Sequence, residues 1–253
     1  MKTFKLGELF AGAGGLAWGA VHAECARGGK IIHAWANDCD PSTCATYIKN
    51  ICPDAPDTVI CCDVRDLNLD ALEEIDALAF GFPCNDFSVV GKRRGLLSAN
   101  GGEAKSKILE GFRDAGYKIF PHLYKFEEYG VPQTRHRIIV VGIRNGIEKS
   151  FRPPSPAPYS GKNISSQHAL ECPPIPPDAA NHERTKHSPD VVERLKYIKP
   201  GQNAFNADIP PELQLHVKSA TLSNVYRRLA PDKPSYTVTG SGGDFFIGAD
   251  DFD

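Results

Sequence analysis

The chain has no apolar run that approaches the length of a membrane span, so a transmembrane helix is excluded on sequence grounds. Met1-Lys2-Thr3 leads directly into an apolar strand pattern, and no signal peptide is expected. Eight cysteines are present, but no CxxC has a partner pair and Cys61-Cys62 are adjacent. That spacing suits neither a disulfide framework nor a zinc site, and points to a reducing cytosol. Internal repeats and low-complexity tracts are also missing. No charge of one sign dominates: the net charge is −2, which neither demands nor excludes a nucleic-acid partner. What remains is an ordinary globular composition, 41% hydrophobic and 24% charged, over 253 residues. That length suits one large domain or a domain with a modest second lobe.

The first half alternates short apolar runs with helical patterns, the signature of parallel strands joined by crossover helices. Strands are expected at Phe4–Phe10, Lys30–Ala36, Thr58–Cys61 and Ile75–Phe80, with helices over Gly14–Arg27 and from Asp40-Pro41 through Lys49. A polar stretch runs from Asn85 to Gly102. A helix at Ala104–Ala115 should stop at Gly116, followed by strands Tyr117–Tyr124 and Arg137–Ile143. Proline enrichment from Phe151 to Pro211, with helix signal only near Pro189–Ile198, marks a small irregular lobe. The acidic tail from Asp244 has no clear assignment.

Phe10-Ala11-Gly12-Ala13-Gly14-Gly15 falls where the first strand hands over to its helix. Missing side chains there let backbone approach a ligand, and the helix N-terminus offers free N–H groups. A tight turn with close helix packing is the competing explanation. Asp38 follows the second strand, where a doubly wound fold places the acid that holds a ribose. Asp63, past the third strand, could accept from an adenine amino group. Each alone reads as a helix cap or turn residue; together, after three successive strands, they favour a nucleoside-containing cofactor.

Gly81-Phe82-Pro83-Cys84-Asn85-Asp86-Phe87-Ser88 follows the fourth strand. Cysteine is ordinarily an inert small hydrophobe, and Cys39, Cys44, Cys61 and Cys172 are expected to be so. Cys84 differs in lying in a polar loop beside Pro83, where positive charge or N–H donors could hold a thiolate.

The glycine loop, the acid after strand two, Asp63, the Pro83-Cys84-Asn85-Asp86-Phe87-Ser88 loop and Gln133-Thr134-Arg135-His136-Arg137 occur in the order seen in DNA (cytosine-5)-methyltransferases. Arg228-Leu229-Ala230-Pro231 and Pro234-Ser235-Tyr236-Thr237-Val238-Thr239 resemble a later motif of that family. The resemblance covers most of the chain from Lys5 to Gly243, and is that of the bacterial restriction–modification type.

The resemblance implies a Rossmann-like α/β sheet that uses S-adenosylmethionine, with a small, irregular target-recognition domain. Residues 1–144 would be catalytic, 145–225 would read the target, and 226–253 would return to the catalytic domain. Cys84 matches the nucleophile, and Arg137 and Arg135 the arginine at the flipped cytosine and its support. The cofactor shell would comprise Phe10, Ala11, Gly12, Gly14, Gly15 and Leu16 in the loop, Asp38, Cys39, Asp63 and Val64 beyond it, and Pro83. Ser88, Lys92, Arg93 and Arg94 would meet DNA from one loop, with Gln133, Arg227, Arg228 and Thr239 elsewhere. Pro200-Gly201-Gln202-Asn203 is the expected reading loop. The implied partner is double-stranded DNA, bound by a monomer in the bacterial cytoplasm at the nucleoid, with a cognate restriction endonuclease in the same system but not in stable contact.

Two pieces of the family pattern are absent. Relatives carry a helix, a strand and a Glu-Asn-Val motif where this chain runs directly from Gly95 to Leu96, and that glutamate would donate to cytosine nitrogen-3. They also continue past Gly243 to an asparagine-bearing segment and closing helix. A catalytically dead relative that keeps cofactor and DNA affinity is therefore the second reading, and an RNA cytosine methyltransferase the third.

Overall fold

A computed structural model of the chain describes residues 2–23, 28–81, 109–180, 187–215, 225–237 and, as backbone, 245–246. Two compact units divide it, residues 1–108 and 109–253.

In the first unit, strands β1 (Thr3–Leu9), β2 (Lys30–Asp38), β3 (Val59–Cys61) and β4 (Ala77–Phe80) form a parallel sheet in the order β3-β2-β1-β4. Chain order moves outward from β1 to β2 and β3, then crosses to β4 on the other side. The point between β1 and β4 is where a doubly wound sheet opens a crevice at its carboxyl edge. Both the glycine loop and the chain leaving β4 toward Cys84 start from that edge.

Helix α1 (Gly15–Val21) is shorter than the sequence pattern suggested, and α2 (Pro41–Ile51) longer. Asp40 starts α2: its side chain accepts the Thr43 N–H at 2.7 Å and Pro41 supplies a preset φ. Ala17 of α1 and Tyr47 of α2 bury fully with Leu6, Ala36 and Cys52 into one core. Ile75 and Asp76, expected in the fourth strand, precede it. The Asp76 carboxylate takes the Lys5 N–H at 2.8 Å, so a side chain supplies that bond instead of a strand carbonyl.

The second unit opens with a helix over residues 109–114 (α3), the described part of the helix expected to end at Gly116. Antiparallel β5 (Tyr117–Lys125) and β6 (His136–Arg144) follow. Ile138, Ile139 and Val140 alternate faces along β6 yet all remain over a third exposed, as does Leu123 of β5. Such an unbroken apolar run normally belongs to a strand covered on both faces. Among the described residues β5 pairs only with β6, and β4 only with β1.

Helix α5 (Pro189–Lys196) forms as the sequence indicates. It packs Leu195 with Ile198, Ala204 and Ile209 into a second core. Helix α4 (Ser166–Glu171) went unread. Six residues carry too little periodicity to signal it, although Ser165 caps the His168 N–H at 3.3 Å. Strands β7 (Arg227–Arg228) and β8 (Phe245–Phe246) pair in parallel.

Candidate functional site

The loop after β1 winds through three left-handed residues, Phe10 (φ 53°), Gly12 (φ 56°) and Gly14 (φ 89°). For a bulky side chain such as Phe10 that conformation is strained, and strain of this kind gathers at ligand-binding loops. The Ala11 N–H bonds to the Asn37 carbonyl at 3.0 Å, and the Gly14 N–H returns to the Ala11 carbonyl at 3.1 Å. A β-carbon on Gly12 would meet nothing within 4 Å, so the loop is open there. On Gly14 it would lie 2.9 Å from the Tyr47 ring and 3.0 Å from Ile51. Gly14 is thus required by its φ and by packing on α2, the close-packing role that the sequence offers beside approach to a ligand. Leu16 and Trp18 of α1 are half exposed. A hollow of about 400 Å³ is lined by Ala13, Gly14, Gly15, Trp18, Asn50 and Ile51, without Asp38, Cys39 or Asp63.

Asp38, half-buried at the end of β2, accepts the Gly12 N–H at 2.8 Å through one oxygen and the Asp40 N–H at 3.0 Å through the other. The Thr43 hydroxyl also approaches Oδ1 at 3.4 Å, and because a carboxylate oxygen has two acceptor positions, it is Oδ2 that keeps room for a hydroxyl. Cys39, next to it, is exposed.

Beyond β3, Asp63 caps the 3-10 turn Val64–Asp66 and is gripped by Arg65, with Nε to Oδ1 at 2.9 Å and Nη2 to Oδ2 at 2.6 Å. These bonds to Arg65 hold the Asp63 carboxyl well below the usual carboxylate range. Both Asp63 oxygens therefore face a cation on a mobile-length side chain, a competitor that sequence spacing did not reveal. Asn37 was also missed. It is buried, and its amide donates to the Ile60 and Cys62 carbonyls at 2.9 and 3.0 Å, fixing the end of β3 near Asp63. Of the four cysteines expected to be inert, Cys44 is buried, while Cys39, Cys61 and Cys172 are exposed. Burial and the neighbouring Cys61 push the Cys44 thiol up to about 12.

Pro83, Cys84, Ser88, Lys92, Arg93, Arg94 and Thr239 lie outside the described residues.

In the second unit, Gln133 and Ser235 form a β-bridge. Around it the Thr134 N–H reaches the Ser235 carbonyl at 2.8 Å, and the Ser235 N–H reaches the Pro132 carbonyl at 3.0 Å. The Thr237 hydroxyl donates to the Thr134 carbonyl at 2.7 Å. The two motif segments, a hundred residues apart in sequence, are thus laced together. Arg137, the second residue of β6, lies opposite Tyr124 and is exposed, its Nη1 donating to the His136 carbonyl at 2.8 Å. Arg135 is half-buried. Burial and the nearby Arg137 charge lower its pKa. His136 contacts Glu127 at 2.6 Å.

Arg227 lies over the Tyr236 ring, 3.1 Å from its centroid, and Arg228 Nη1 donates to the Ile198 carbonyl at 3.0 Å. In the expected reading loop, Asn203 is buried, with Oδ1 accepting the Phe205 and Asn206 N–H groups. Gln202 Oε1 accepts the Lys199 N–H at 3.0 Å. Both side chains hold the loop's own shape, while Tyr197 and Phe205 beside them stand exposed.

A family model described as C-5 cytosine-specific DNA methylase matches residues 4–101 and 94–242. The chain belongs to that family, and is a DNA (cytosine-5)-methyltransferase. It is 48% identical over 283 residues to the type II methyltransferase M.BbvI of Brevibacillus brevis, covering 95% of this chain and 75% of that one. It is 31% identical to M.NgoFVII of Neisseria gonorrhoeae, covering 94% and 70%. A candidate DNA modification methyltransferase encoded within an E. coli prophage shares the fold, with TM-score 0.62 at 16% identity over 92% of this chain and 82% of that one. The family match breaks into two pieces at residues 94–101, around the Gly95–Leu96 junction. Since 95% of 253 residues is about 240, roughly 40 of the 283 aligned positions with M.BbvI have no counterpart here.

Proposed function

We propose that this chain methylates carbon-5 of a cytosine flipped out of duplex DNA, through a covalent adduct on Cys84, as the modification enzyme of a cytoplasmic bacterial restriction–modification system. The observation that carries the cofactor half of this reading is the open, left-handed glycine loop clasped by Asp38 at the carboxyl edge of β1. Among the described residues no helix is long and apolar enough to cross a membrane.

Phe10, Gly12 and Gly14 would shape the S-adenosylmethionine pocket. The remaining lone pair of Asp38 Oδ2 would take a ribose hydroxyl, and Asp63, once Arg65 swings off it, an adenine amino group. Bound there, the cofactor supplies an electrophilic methyl group. Cys84 as thiolate adds to cytosine carbon-6, making carbon-5 electron-rich enough to accept the methyl. Loss of the carbon-5 proton and departure of the thiolate then restore the aromatic ring. Arg137, supported by Arg135, would contact the flipped base. Residues 145–225 would read the target and 226–253 would return to the catalytic domain, a reading supported by the lacing of Ser235 and Thr237 to the Gln133–Arg135 segment.

Duplex DNA carrying 5-fluorocytosine tests the covalent step, because fluorine does not leave as the proton does. A competent preparation should be trapped on Cys84 and on no other cysteine, as read by peptide mass mapping. An adduct elsewhere, or none in an active preparation, sinks the assignment. A chain that binds cofactor and DNA yet never forms an adduct would instead favour the dead-relative reading, to which the interruption at Gly95–Leu96 lends weight.

A further inference from the structure

Beneath the glycine loop lies a buried chain of polar groups that the reading above does not use. Glu8, in the middle of β1, is 1% exposed, and Tyr47 of α2 is fully buried. The Tyr47 hydroxyl lies 3.1 Å from Glu8 Oε2 and 3.2 Å from His33 Nδ1. His33 Nε2 lies 2.8 Å from the Thr58 hydroxyl, which in turn is 2.6 Å from the Ala55 carbonyl.

Hydrogen accounting orders this chain. The Ala55 carbonyl can only accept, so the Thr58 hydroxyl donates to it and must receive its own bond from His33 Nε2–H. A neutral imidazole then has a bare Nδ1, which takes the Tyr47 hydrogen. Tyr47 has no second hydrogen, so the Glu8 contact is satisfied when a protonated Glu8 donates to the phenol oxygen. Every donor then has one acceptor and all the bonds run one way. Burial agrees at both ends, pushing Glu8 up to about 7 and lowering His33.

The same groups touch the loop. The Tyr47 ring is the floor against which Gly14 packs. Gly14 caps α1 with no side chain, and Glu8 instead takes the Ala17 N–H in the first turn of that helix.

We infer that Tyr47 is a positioning residue for cofactor binding: hung between Glu8 and His33, it fixes the height and twist of the Gly12–Gly14 loop. This rests on the glycine loop being the cofactor site. The energetic logic is preorganisation. A loop already held in its bound shape loses little freedom when a ligand arrives, whereas a released loop must be ordered at the ligand's expense.

Tyr47→Phe keeps the ring under Gly14 and removes only the hydroxyl. In the full chain, amide exchange at Gly12 and Gly14 should accelerate at least about fivefold while Ala36 and Asn37 of β2 change less, and affinity for S-adenosylhomocysteine should fall about five- to tenfold. Loop and β2 amides changing alike, or loop amides unprotected or unaltered, overturns the proposal. Loss of loop protection together with no ligand binding by the wild type would leave the pin standing and sink the cofactor reading instead. Should the variant fail to fold, nitrogen chemical shifts of His33 in the wild type decide. The Nε2–H tautomer is required below pH 7, where Glu8 holds its proton, and an Nδ1–H tautomer there rules the chain out.

Discussion

Asp38 Oδ2 receives the Gly12 N–H at 2.8 Å, so the carboxylate expected to hold a ribose is also the clasp of the loop beside it. Removing it does two things at once. Asp38→Ala should lower S-adenosylhomocysteine affinity by more than one lost charge-assisted bond, which is worth about 1.5–3 kcal/mol. Titration calorimetry checks this. A loss under threefold would leave Asp38 with the clasp alone and no ligand contact.

The loop's glycines differ in what they tolerate. Gly12→Ala faces open space and costs only the left-handed backbone, about 1–2 kcal/mol. Gly14→Ala pays the same and must also displace the Tyr47 ring 2.9 Å away, so its melting temperature should fall further. Equal melting temperatures would show that α2 yields freely.

Glu8 should make stability pH-dependent. Its folded pKa, about 7, lies above its ordinary 4.5, so between these values the folded chain holds more proton than the unfolded. Stability from this group is full below about 4.5 and is lost as pH rises through 7. His33, lowered by burial, acts the other way over an overlapping range. The groups facing Glu8 are the Tyr47 hydroxyl and the Ala17 N–H, with Cys52 and His33 reached through Tyr47. Glu8→Gln, which cannot ionise, should therefore gain on the wild type as pH rises from 5 to about 8. Thermal melts of both proteins across that range give the difference directly, and a constant difference would refute the buried-acid account.

Phosphate contact and base reading should separate. Arg93→Ala and Arg94→Ala should weaken binding to all duplexes alike and flatten the salt dependence. Tyr197→Ala and Phe205→Ala should instead change which sequence is preferred, since Gln202 and Asn203 are occupied within their own loop. Competition binding across a randomised duplex pool at two salt concentrations measures both. A changed preference with Arg93→Ala and an unchanged salt slope would overturn the division.

The break at Gly95–Leu96 carries the largest expected effect. The 253-residue chain should transfer no methyl group measurably to duplex DNA and should melt at low temperature. Inserting the roughly 40 residues that M.BbvI has in excess should raise both. Tritiated methyl transfer and a thermal melt are the assays. Robust turnover by the 253-residue chain would mean that cytosine is activated without the Glu-Asn-Val glutamate.

The alternation of strand and helix and the placing of Phe10, Asp38 and Asp63 at one sheet edge were legible in the sequence. Period-two and period-3.6 patterns are local, and glycine and proline punctuate them. What Glu8, Asn37 and Arg65 do was not legible. Glu8 sits on an interior strand where an acid looks like an error of pattern, and only the approach of Tyr47 from α2 explains it. Asn37 acts through carbonyls more than twenty residues on. Arg65 reaches back two residues to Asp63, a contact that many exposed arginines could make and few do. For Gly14 the sequence leaves two roles open, because a missing side chain can serve a ligand above or a ring below, and the Tyr47 ring below comes into view only in the fold.

Strand β6, with Ile138, Ile139 and Val140 over a third exposed and, among the described residues, paired only to β5, has a practical consequence. Water-exposed apolar ribbons with a free edge recruit other chains through the same backbone pairing that builds sheets. The purified protein should therefore lose solubility as it is concentrated, with light scattering rising with concentration.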